Sequence, residues 1–112
     1  MDDSTRTLAF TATTARGDVI EFRLPLHPHT SSRDHVGQLL ERVLDRVSEV
    51  VEGPDDMSDG DVLQSLSLAM AVRLRVAGLS PEAARKLVED LANLAVQGYE
   101  DGETVSSAHT RH

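Results

Sequence analysis

Over its 112 residues the chain carries 19 acidic against 11 basic side chains, a formal net charge of −8, with 39% apolar residues and no cysteine. The absence of cysteine excludes disulfides, thiolate metal centres and a cysteine nucleophile, and the acidic balance argues against binding to nucleic-acid phosphates or an anionic bilayer. Phe10, Phe22 and Tyr99 are the only phenylalanine or tyrosine residues and there is no tryptophan, so the core has to be built from Leu, Val and Ala.

In chain order, residues 1–5 read as a flexible start. The opening MDDSTRTLAF is acidic and lacks the basic region and apolar stretch of a signal peptide. No apolar run approaches the roughly 20 residues of a membrane span. A cytoplasmic protein with no membrane contact is the expectation.

Residues 6–26 predict a β-hairpin. Leu8, Phe10 and Ala12 alternate with Thr and Ala, and Ile20, Phe22, Leu24 and Leu26 alternate with Glu21, Arg23 and Pro25. That period-two pattern marks half-buried strands. ARGD supplies the turn, with Gly17 free to take positive φ. A lone hairpin is marginal in water, so its apolar face needs helices over it and its edges invite another chain.

The first helix is expected from about Ser32 to Glu52, with Ser31 and Asp34 resembling a capping box. Val36, Leu40, Val43, Val47 and Val50 step by four and three as a heptad seam, widened by Leu39, Leu44 and Val51. Gly53 and Pro54 end it. A second helix, from about Gly60 to Ala77, is apolar nearly all round, which predicts a central position. The third runs from about Pro81 to Gln97, with Ser80 as N-cap, Pro81 at its first position and Gly98 ending it. Its apolar face comprises Ala84, Leu87, Val88, Leu91, Leu94 and Ala95. Residues 99–112 are polar and aperiodic, a disordered tail by composition. The expectation is one α+β domain over residues 6–98, ββααα.

Three stretches invite a chemical reading. HPHTSSRDH places His27 and His29 on one side of an extended segment and His35 on the first helical turn, with Asp34 as a further donor. Pro25 and Pro28 stiffen this segment, and no second shell is evident, so a solvated connector is the preferred reading and no metal or cofactor is assigned. His27, His29 and His35 remain the candidate ligands of an alternative metal- or small-molecule-binding domain. EGPDDMSDGD fails as an EF-hand, with Met57 at the third position and Leu66 at the twelfth; an acidic loop capped at Ser58 or Asp59 fits better. Arg16-Gly17-Asp18 spells an integrin-type tripeptide at the hairpin turn, which chance explains. Residues 70–93 outline a helix-turn-helix, but its exposed face would mix Glu82 and Glu89 with Arg85 and Lys86, a poor phosphate-facing surface. A packing αα-hairpin is preferred, and a DNA-binding regulator stands as an alternative. No phosphate-binding loop, GxSxG or HExxH is present, so a non-enzyme is expected.

The succession GDVIEFRLP, LLERVLDRVSEV and LQSLSLAMAVRL, over residues 18–75, resembles the bacterial cell-division accessory protein ZapA. That resemblance implies a cell-division accessory role as another alternative. It breaks where that family continues into a long coiled coil, since Gly78 and Pro81 interrupt the helix here.

The functional expectation is a small acidic protein-interaction module: an adaptor, inhibitor or assembly factor acting on another protein, with a basic partner fitting its charge. The chain is also expected to form a homodimer through the hairpin edge, the first helix or both. Val36, Leu40, Val43 and Val47 are the candidate association residues, with Phe10 and Phe22 in the core.

Overall fold

The computed structural model describes residues 7–54 and 57–106. Its elements are β1 (Thr7–Thr13), β2 (Val19–Pro25), α1 (Arg33–Val51), α2 (Asp59–Val76), α3 (Pro81–Asp101) and β3 (Glu103–Ser106). This is the expected α+β fold, a hairpin followed by three helices, with one further strand. The chain divides into two units: residues up to Gly37 together with those from Val88 onward, and Gln38–Leu87.

The first unit is built on the hairpin. Thr14 accepts the Gly17 N–H on its carbonyl at 2.9 Å and the Asp18 N–H on its Oγ1 at 3.1 Å. Gly17 closes this turn with φ 93, in the left-handed region that favours glycine. The antiparallel register sets Leu8 opposite Leu24, Phe10 opposite Phe22 and Ala12 opposite Ile20. These six are all half-buried, whereas Ala9, Thr11, Glu21 and Arg23 between them are exposed. Alternation in the sequence has therefore become one apolar face and one polar face.

β3 pairs antiparallel with β2 on the side away from β1, giving the order β1-β2-β3. The expected helix end at Gly98 and disordered tail from residue 99 are thus corrected over residues 99–106; residues 107–112, like the flexible start at 1–5, lie outside the described residues. Gly98 does not stop α3, because its role is steric. It is buried, and a Cβ there would stand 2.9 Å from Leu24 Cδ2. A glycine inside a helix costs about 1 kcal/mol relative to alanine, and close passage over the sheet accounts for its presence. The helix ends instead at Gly102, whose N–H reaches the Tyr99 carbonyl at 3.3 Å. A Cβ at Gly102 would meet the Phe22 ring at 2.7 Å. The start of α1 approaches the same face, with the Gly37 Cβ position 3.2 Å from Leu8 Cδ1.

The second unit is helical. The cap of α1 is Ser32 and not Ser31, since Ser32 Oγ accepts the His35 N–H at 3.1 Å. Leu40, Val43, Leu44, Val47 and Val50 form its half-buried stripe, and Glu41, Arg42, Asp45, Arg46 and Glu49 are exposed. Ser58 caps α2 by accepting the Asp61 N–H at 3.1 Å. α2 ends in a tight reversal: Gly78, with φ 79, donates to the Arg75 carbonyl at 3.0 Å. Ser80 then opens α3 by accepting the Ala83 N–H at 3.2 Å. Among the described residues no apolar side chain of either unit is fully buried.

Candidate functional site

The histidine-rich connector is held by its own side chains. His27 Nε2 lies 3.2 Å from Asp90 Oδ2, and the His29 backbone N–H donates to His27 Nδ1 at 3.1 Å. An accepting Nδ1 leaves the proton on Nε2, where it points at the carboxylate, so both ring nitrogens are engaged. The His27 and His29 rings stand 5.2 Å apart, tilted by 31°. Among the described residues no three His, Asp or Glu side chains gather where they could hold a metal ion. His35 is instead part of the start of α1, its N–H on the Ser32 cap.

The other motifs resolve into local structure. Arg16, Gly17 and Asp18 belong to the hairpin turn. In the acidic stretch, Asp59 and Gly60 form the first turn of α2 behind Ser58, while Asp55 and Asp56 lie outside the described residues. Glu82, Arg85, Lys86 and Glu89 are all exposed on α3, so the face available to a phosphate carries both signs of charge.

Of the four association candidates, Val36 is exposed, and Leu40, Val43 and Val47 are half-buried. Val47 lines an apolar groove of about 220 Å³ with Val50, Met57, Val62 and Leu66, all inside the helical unit. The α1 seam therefore turns partly toward its own unit.

The surface that sequence reasoning missed is on α2. Its apolarity all round predicted a central helix, yet none of its residues is buried. Val62, Leu66 and Leu74 are half-buried, whereas Leu68, Val72 and Val76 are 56%, 61% and 66% exposed. The spacing of four residues puts these last three on one side of the helix. A helix apolar on both sides needs cover on both, and this chain covers one. Sequence carried the signal, but assigned both sides to the chain's own interior.

The sheet edges differ as well. β3 has four residues, begins with Glu103 and is bulged where the register shifts between Val19 and Ile20. Such features blunt an edge. β1 spans seven residues, TLAFTAT, with neither charge nor proline, and among the described residues no strand pairs on its far side. Among the described residues no helix is long and apolar enough to cross a membrane. No family model matches the chain, and no match emerges among curated proteins or solved structures.

Proposed function

We propose that this chain is an acidic, non-enzymatic protein-interaction module, an adaptor, inhibitor or assembly factor whose incomplete interior is closed by another protein chain. The observation that carries this reading is the exposed apolar side of α2, Leu68, Val72 and Val76, in a chain with no fully buried apolar side chain among its described residues. An apolar face left in water marks a site of association. The net charge of −8 turns nucleic acid and anionic lipid away and leaves protein partners. The soluble-protein composition and the absence of any catalytic motif support a cytoplasmic binding role over a catalytic one.

The test is site-specific photocrosslinking in the cells that make the protein. With p-benzoylphenylalanine in place of Val72, irradiation is expected to yield a protein adduct. The same probe at Glu49, exposed on the polar side of α1, is the control. No adduct at position 72 beyond that control would overturn the reading.

A further inference from the structure

The association surface on α2 has a symmetry that names its occupant. Asp61, Leu68 and Arg75 are spaced by seven residues, about two helical turns, and so share one side of α2. Ser65 and Val72 fall between them, and the steps from Asp61 through Ser65, Leu68 and Val72 to Arg75 are four, three, four and three. This is a heptad seam, acidic at its first position, basic at its last and apolar about its centre. All five residues are exposed. No ion pair of the described residues engages Asp61 or Arg75.

We infer that α2 pairs antiparallel with α2 of a second copy of this chain, about a two-fold axis at Leu68. This rests on the reading of the chain as an interaction module and deepens it by naming a partner. Seven residues lie on each side of Leu68, so the two-fold sets Asp61 of one copy at the level of Arg75 of the other, twice. Leu68 meets its own counterpart, Val72 comes level with Gln64 of the other copy, and Ser65 comes level with Ala71, two small residues that permit close approach. A parallel pairing would set Asp61 against Asp61 and Arg75 against Arg75, and would align the helix dipoles unfavourably. The antiparallel arrangement reverses both. Two copies of a chain with net charge −8 repel at long range, so a self-association surface has to be locally neutral, and this seam is. The interface is isologous, as a closed dimer requires.

Charge swaps read this register directly. Light scattering during size-exclusion chromatography is expected to give twice the chain mass of 12.2 kDa for the wild type. Leu68→Glu is expected to give the monomer mass. Arg75→Glu and Asp61→Arg each turn two attractions into two repulsions, and each is expected to weaken the dimer about tenfold. The double variant Asp61→Arg/Arg75→Glu restores both pairs and the wild-type dissociation constant. All substituted positions are exposed, and far-UV circular dichroism verifies the fold of each variant. A monomeric wild type overturns the inference, as does a dimer indifferent to Leu68→Glu or single swaps that the double variant fails to rescue. The photocrosslink separates this from failure of the underlying reading: an adduct of two chain masses accompanies success here, and an adduct of another mass leaves an interaction module with a different partner.

Discussion

In the sheet unit every inward position of the hairpin, Leu8, Phe10, Ala12, Ile20, Phe22 and Leu24, is at least half-buried, whereas in the helical unit Leu68, Val72 and Val76 of α2 are 56–66% exposed. Both units draw on the same aliphatic alphabet, so composition does not separate them. Geometry does. A strand has two faces, and the hairpin sequence makes one of them polar, leaving a single face to cover. The chain covers it with its own helices, brought close by Gly37, Gly98 and Gly102. α2 is apolar around its circumference, and one flank fits the groove beside Val47 and Val50 while the other faces outward. A sheet with one apolar face can be finished by its own chain; a helix with two cannot be finished by neighbours on one side.

The largest effects should therefore fall on the sheet unit. Phe22 lies opposite Phe10 and carries the Gly102 approach on its ring. Truncating an enclosed phenylalanine costs about 3–5 kcal/mol, and for this half-buried ring Phe22→Ala should cost about 2–3 kcal/mol. Urea denaturation followed by circular dichroism measures it. A loss below 1 kcal/mol would mean that the sheet face is no better covered than α2 and that the contrast is illusory. Next comes Gly102→Ala. Its new methyl enters at 2.7 Å from one atom of the ring and 3.0 Å from another, so the ring has to shift, and overpacking of this kind costs about 1–3 kcal/mol. Pairing it with Phe22→Leu sharpens the test: a smaller partner should recover part of the loss, whereas a purely conformational role for Gly102 would leave the two losses additive.

The hairpin was fully legible in the sequence because its signals are local. Alternation chose the face, Gly17 fixed the turn, and the turn fixed the register. Helix positions were legible for the same reason, with Ser58 and Ser80 capping where a hydroxyl precedes an apolar period. Gly98 was misread because glycine has two uses in a helix, ending it or thinning it, and only Leu24, more than seventy residues away in sequence, decides between them. β3 was missed because four exposed residues, ETVS, have no inward side to alternate with. For α2 the all-round apolar pattern was read as a central helix, and none of its residues is buried. Which chain supplies its cover is not a local property; Val47, a candidate for association, lines a groove within its own unit.

A smaller effect is expected from Ser58→Ala, which removes the acceptor for the Asp61 N–H. Loss of a serine N-cap costs about 1 kcal/mol. In hydrogen exchange the amides of the first turn of α2 should lose protection, and those of the hairpin should not. Equal loss in both would show that α2 and the sheet open as one cooperative unit, erasing the distinction between the two regions.

The smallest effect is the one that bears most on α2. Val72→Ser removes an apolar side chain from a position 61% exposed, and valine and serine have similar helix propensities. In a chain diluted until it is monomeric, the substitution should change stability by no more than about 0.5 kcal/mol. At high concentration a second copy seated on α2 would stabilise the wild type by mass action, and the variant should gain less. The difference between wild type and Val72→Ser should therefore grow with protein concentration, while the difference for Phe22→Ala should stay constant. A cost for Val72→Ser above 1 kcal/mol at dilution would place Val72 in the chain's own interior, and α2 would then be finished in the way the sheet is. A difference near zero at every concentration would leave Val72 in water in the assembled state too, and the covering chain would have to sit elsewhere on the molecule.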